Sequence, residues 1–166
     1  MEKGFVETLI RSIKAMYPLA DVTRSADRMT LGIPDIMAMI PVGPVVEDRL
    51  NLVWALAIEA KQLRTLMETP FSKGRRTGQM LKHPFSGPQI SKLRSLRRAG
   101  VDAFGIVRVS SDTAFKILPD DISAKTGNFT HDELMKFGIP VVRERGIWPF
   151  WIRSTDSDVS VFGAGH

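Results

Sequence analysis

The sequence predicts an α/β domain with a mixed central sheet flanked by helices. Three observations carry that prediction. An amphipathic helical pattern opens the chain, an apolar strand pattern runs over residues 51–61, and a helix pattern with a start signal follows at 88–99, ahead of further strands. Strands and helices interleaved along one chain point to a sheet covered by helices.

In chain order, Phe5, Leu9, Ile10, Ile13, Met16 and Tyr17 recur at helical spacing over residues 3–17, and Pro18 stops the pattern. Residues 20–25 form a short strand. Residues 33–40 read as a strand with Pro34 near its start, where a missing donor is tolerated, and Pro41 and Gly43-Pro44 end it. In 51–61, Leu52, Trp54, Leu56 and Ile58 alternate with Val53, Ala55, Ala57 and Glu59. The interior of that strand is apolar on both faces, which places it centrally in the sheet. From Thr69 to Pro88 no periodicity is sustained, and Pro70, Gly74, Gly78, Pro84, Gly87 and Pro88 punctuate the segment. A loop of that length in a compact domain is usually functional or mobile. The helix 88–99 has Ser86 as its cap, Pro88 in its first turn and Gly100 beyond its end; Ile90, Leu93 and Leu96 give its buried stripe. Strands are expected at 103–109 and 114–118, closed by a turn at Pro119-Asp120-Asp121. Thr130 with Glu133 forms a capping box for a short helix at 131–137. Ile147–Ile152 is strand-like, and the chain is expected to fray after Ser154.

The chain has 166 residues, of which 43% are apolar and 25% charged, an ordinary globular balance that excludes disordered and collagen-like chains. The length suits one domain with a core of its own. The absence of cysteine excludes disulfides, thiol catalysis and cysteine metal sites. No apolar run approaches the ~20 residues of a membrane span, and no apolar segment follows the first residues as in a secretory leader. A soluble, cytoplasmic protein is expected.

The net charge of +5 is unevenly spread. Between Lys61 and Arg98 stand ten basic residues and one acid, Glu68; the rest of the chain holds 13 basic and 17 acidic side chains. A basic segment on a slightly acidic body is the footprint of a polyanion binder, against the plainer reading of a solvated basic face. Lys73, Arg75, Arg76 and Lys82 in the loop, and Lys92, Arg94, Arg97 and Arg98 off the stripe of the helix, are the expected contacts to a polyanion's phosphates.

The acids are more specific. Of two Pro-Asp dipeptides, Pro34-Asp35 and Pro119-Asp120, only the first is followed by an acid-x-Lys triplet, Glu59-Ala60-Lys61. Strand alternation puts Glu59 and Lys61 on one face, while Ala60 continues the buried line of Trp54, Leu56 and Ile58. If the two strands pair as an antiparallel hairpin, Asp35 faces Glu59 across the sheet. Two adjacent carboxylates repel unless a cation lies between them. Oxygen ligands in this number suit Mg²⁺, which keeps several waters and also ligates phosphate. Lys61 is placed to orient or deprotonate the attacking water, or to stabilise charge on the phosphate. The set reads as a metal-assisted phosphodiester hydrolysis site. The plainer alternatives are an Asp35 bonded to a loop amide, a Glu59–Lys61 surface pair, and a Glu7 paired with Arg11 one helical turn on.

Gly32-Ile33-Pro34-Asp35, then 22 residues, then Ile58-Glu59-Ala60-Lys61, resembles the signature of the PD-(D/E)XK nuclease superfamily. Within it the chain is most similar to RecU-type Holliday junction resolvases, and next to VRR-NUC domains. Gly4 to Glu7 with Tyr17, Gln89 at the head of its helix, Gly100–Val107 and Phe115–Pro119 extend the likeness over roughly residues 4–122. The departure is that Gln89 follows Pro88, where those resolvases carry a His-Gln pair. The resemblance implies a restriction-endonuclease-like αβββαβ core, with residues 123–166 as a C-terminal extension of a single nuclease domain. It also implies Mg²⁺ held by Asp35 and Glu59, with Glu7 as a further ligand and Mn²⁺ able to substitute. Lys61 and Gln89 complete the catalytic set. The implied activity is an endonuclease acting on branched or four-way junction DNA as a homodimer. A flap or mismatch nuclease of VRR-NUC type, and a non-catalytic nucleic-acid-binding module, are the alternatives. His83 and His131 have no partner at metal-ligand spacing, and Trp148 and Trp151 suit packing or an interface better than base stacking.

Overall fold

In the computed structural model, residues 2–25, 32–43, 45–46, 49–50, 52–62, 80–81, 85–123 and 129–149 are described. The elements in order are α1 (Glu2–Met16), β1 (Asp21–Arg24), β2 (Ile36–Pro41), β3 (Val45–Val46), β4 (Arg49–Leu50), β5 (Val53–Gln62), β6 (Met80–Leu81), α2 (Gly87–Arg98), β7 (Asp102–Arg108), β8 (Thr113–Ile117), α3 (Pro119–Ser123), β9 (Phe129–Thr130), α4 (His131–Phe137) and β10 (Ile139–Val142).

Six strands form one mixed sheet in the order β1-β2-β5-β7-β8-β10. Every neighbouring pair is antiparallel except β5 and β7, which run parallel. A parallel pair needs a long crossover, and α2 supplies it. The apolar run of 53–60 accordingly lies second from neither edge but inside the sheet, covered on both faces.

Alternation along the strands sorts the core into two layers. Phe5, Leu9 and Ile13 of α1 pack on Ile36, Ala38, Ile40, Leu56, Ile58, Ala60, Phe104 and Ile106. On the opposite face Leu93 of α2 and Leu134 of α4 pack with Ala57, Ala103, Val107, Phe115 and Ile117. Each fully buried Leu, Ile or Phe contributes about 1.5–3 kcal/mol relative to leaving it in water. The two layers hold the helices on opposite sides of the sheet.

Three expectations need correcting. Pro119-Asp120-Asp121 is no simple turn: it opens the short helix α3, with proline at its start and two acids in its first turn, both favourable there. The sheet has a further edge strand, β10, in the segment after 122, where none was foreseen. Of the strand expected at Ile147–Ile152, the described residues 147–149 carry a single bridge, Glu144 with Ile147, closing a turn in which Arg145 (φ 51°) and Gly146 (φ 81°) both take positive φ. Residues from 150 on lie outside the description, Trp151 among them, and so does most of the 69–88 loop, including His83. Within that loop β6 pairs with β9.

Trp148 is fully buried, edge-on to Phe5 with ring centroids 5.6 Å apart. It packs in the core, the use expected of it.

Candidate active site

The site is built at the end of the sheet where β2 begins and β5 approaches its C-terminus. Asp35 is the residue before β2. Its main-chain carbonyl accepts from Ser25 N at 2.9 Å, and its carboxylate Oδ2 accepts from Ala60 N at 2.8 Å. It is therefore tied both to the strand on one side and to the strand on the other. The β2–β5 register pairs Ile36 with Ile58, so one step further Asp35 lies opposite Glu59. The antiparallel geometry expected from the sequence is the one observed.

Glu59 follows Ala57 by two positions and so faces α2. It is 2% exposed, which for an ionised carboxylate demands partners. Its Oε1 accepts from Lys61 Nζ at 3.2 Å and from Gln89 Nε2 at 2.5 Å. Lys61 is largely buried as well, so the pair is not a solvated surface contact.

Gln89 reaches Glu59 because of how α2 starts. Ser86 is the N-cap: its hydroxyl accepts from Gln89 N at 3.4 Å, and Gln89 Oε1 accepts from Ser86 N at 2.9 Å. This reciprocal pair is a capping box. With Oε1 spent on the cap, the amide Nε2 is the end directed at Glu59. One side chain thus satisfies a helix terminus and braces the buried acid.

Two glycines let this turn lie close to the strands. Gly32 has φ +87°, and a Cβ there would stand 2.8 Å from Pro88 O. At Gly105, the β7 partner of Glu59 in the register, a Cβ would stand 2.4 Å from the Phe85 ring. Phe85 is buried immediately before the cap, so its ring seats the start of α2 on the bare backbone of Gly105.

Among known proteins, no family model and no curated protein matches the chain. Among solved structures it is similar to Hjc, a Holliday junction resolvase from Archaeoglobus fulgidus, an archaeal hyperthermophile. The identity is 16%, the match covers 83% of this chain and 91% of that one, and the TM-score is 0.47.

The structure thus brings Asp35, Glu59, Lys61 and Gln89 together. It does not bring Glu7 to them. Among the described residues no three of His, Cys, Asp and Glu come together as a metal-binding group. The reason is the layering: α1 packs on the Ile58–Ala60 face, whereas Glu59 faces α2. Glu7 pairs instead with Arg24 of β1 at 3.1 Å, and not with Arg11. Of the basic residues on α2, Arg94 pairs with Asp120 at 3.5 Å and Arg97 with Asp102 at 3.7 Å. Lys92 and Arg98 are exposed and have no ion pair among the described residues. Lys73, Arg75, Arg76 and Lys82 lie outside the described residues, as does the side chain of His131.

Sequence reasoning quoted Gly32 and Gly105 but gave them no part in the site, and it passed over Phe85. The available signal was Phe85 directly before a capping box, the position of a residue that fixes how the chain enters a helix.

Among the described residues no helix is long and apolar enough to cross a membrane.

Proposed function

We propose that this chain is a metal-dependent nuclease that hydrolyses phosphodiester bonds in DNA, with Asp35 and Glu59 as metal ligands and Lys61 beside the scissile phosphate. The observation that carries the proposal is the pairing of Asp35 opposite Glu59 on adjacent antiparallel strands, with Lys61 on the Glu59 carboxylate.

The residues fit a Mg²⁺ ion, which usually takes one or two carboxylates and completes its shell with waters and substrate phosphate. Asp35 Oδ2 is engaged by Ala60 N, and Oδ1 has no partner among the described residues. Bound there, the ion would polarise a phosphoryl oxygen and acidify a water. The protein's own contribution is positional. Asp35 is anchored to two strands, and Glu59 is held by Gln89 and Lys61. On exchanging Glu59 for the developing phosphate charge, Lys61 would stabilise the transition state where it forms.

The likeness of the sequence to RecU-type resolvases supports a finer reading: four-way junction DNA as substrate, cut by a homodimer. Two-fold symmetry in the protein would match two-fold symmetry in the junction. The basic residues of the 73–82 segment and the exposed Lys92 and Arg98 of α2 would grip flanking phosphates.

The test is incubation with four-way junction, flap and linear duplex DNA, with and without Mg²⁺. Metal-dependent cleavage that favours the junction is expected. Binding to all three without cleavage in any metal would leave only a binding module.

A further inference from the structure

We infer that Arg108 and Arg143 form a second phosphate-binding subsite, which takes a backbone phosphate of the bound nucleic acid on the sheet face opposite Glu59. The inference deepens the nuclease reading and rests on it for the identity of the ligand.

Arg108 ends β7 and, following Phe104 and Ile106 by even steps, lies on the α1 face. The turn after β7 fixes its guanidinium: Nε donates to Ser110 O at 2.9 Å and Nη2 to Ser111 O at 3.2 Å. Arg143 arrives from the other side. The positive-φ turn at Arg145-Gly146 folds the chain back so that Trp148 lies beside Arg143. Both guanidinium carbons stand 5.9 Å from the Trp148 ring centre. Two cations thus share one indole.

Among the described residues no acid offsets them, and neither arginine makes an ion pair. Asp112, whose carbonyl accepts from Arg143 N, turns its carboxylate to the hydroxyls of Ser110 and Thr113. Burial, followed by the nearness of Arg143, lowers the Arg108 pKa from its ordinary value. Arg143 Nε and Trp148 Nε1 are both buried with no hydrogen-bond partner. Buried donors are ordinarily satisfied, and like charges are ordinarily kept apart. The single negative charge of a phosphodiester beside the two guanidinium groups would offset their like charge, and paired guanidinium groups match the geometry of its oxygens.

The location suits a polynucleotide. Arg108 is the register partner of Gln62, three residues beyond Glu59 on the adjacent strand. Strand rise and spacing put its Cα roughly 11 Å from that of Glu59. One strand of a duplex places a phosphate about every 3.4 Å along the axis, so a strand passing the end of the sheet would span the two side chains, on opposite faces, over several phosphates.

The test is binding of a fluorescent duplex oligonucleotide in chelator, so that no result depends on cleavage. Arg143→Met keeps an apolar side chain on Trp148 but removes the charge. It should weaken binding roughly tenfold, the cost of a charge-assisted bond, and reduce the log–log salt slope by about 0.9. Arg143→Lys should keep the slope. In chloride the Met variant should melt no lower than wild type, because it loses a repulsion and an unsatisfied donor. Inorganic phosphate at matched ionic strength should raise the wild-type Tm and leave that of the variant unmoved. Arg143→Gln, which removes the charge but keeps a polar side chain, repeats the binding measurement if Arg143→Met fails to fold. A destabilised Met variant with unchanged affinity and slope would make Arg143 a packing residue and overturn the subsite. Stabilisation by phosphate without any change in oligonucleotide binding would overturn its assignment to nucleic acid. If Asp35→Asn left cleavage intact, the metal site would fail while these binding results stood.

Discussion

Gln89 Nε2 donates to Glu59 Oε1 while Gln89 Oε1 accepts from Ser86 N, so the cap of α2 and the buried acid of β5 share one amide. Gln89→Ala should remove both bonds. Partners that orient a metal ligand typically cost 10–100-fold in activity or metal affinity, and a loss of roughly that size is expected here. Metal titration of the cleavage rate checks it: the variant should need more Mg²⁺. A variant with wild-type metal dependence would reduce Gln89 to a helix cap.

Asp35→Asn and Glu59→Gln should each lower cleavage by more than the roughly hundredfold ceiling of such outer partners. DNA binding should stay equal or tighten, since each change removes a negative charge near phosphate. The asparagine retains an oxygen for Ala60 N, so its Tm should change little, whereas Asp35→Ala should cost about 1–3 kcal/mol for the unsatisfied amide. Junction cleavage and thermal melts on the three variants separate the ligand role of Asp35 from its structural one.

Lys61→Ala should depress turnover by roughly a hundredfold, in the range of losing one donor to developing charge. Affinity should fall far less, because one phosphate contact is one of many. Single-turnover rates at saturating DNA measure the first and a binding isotherm the second. A loss confined to affinity would make Lys61 a grip residue.

Gly105→Ala places a methyl into the Phe85 ring and should destabilise the fold by about 1–3 kcal/mol. The start of α2 should lift, carrying Gln89 from Glu59, so cleavage should fall even below the melting transition. Adding Phe85→Leu, which makes room, should recover part of both. Full activity in the single variant would show that the ring yields without moving the helix.

Neutralising Lys73, Arg75, Arg76 and Lys82 together should weaken binding to every DNA and reduce the salt slope by about 0.9 per lost contact on duplex. The metal site would be intact, so saturating DNA should restore much of the rate. Titrations at several salt concentrations test this, and an unchanged slope would place these charges away from DNA.

The sequence by itself determined the elements and one side of the site. Period-2 alternation over 53–60, the proline stop after α1 and the Ser86 cap are local signals. They survived folding because each is enforced within a few residues. The Asp35–Glu59 opposition was also legible, because antiparallel pairing of neighbouring strands leaves little freedom once Glu59 must face away from the Ile58–Ala60 layer. What only the tertiary structure decided is where separate layers meet. Glu7 looked like a ligand from its place on the first helix, but which face that helix covers is a packing outcome, and it puts Glu7 on Arg24. The seating of Phe85 on Gly105 and the meeting of Arg108, Arg143 and Trp148 join residues with no shared local pattern. Such contacts follow from close packing across the sheet, where volume and charge are settled among distant residues, and a linear pattern carries no trace of them.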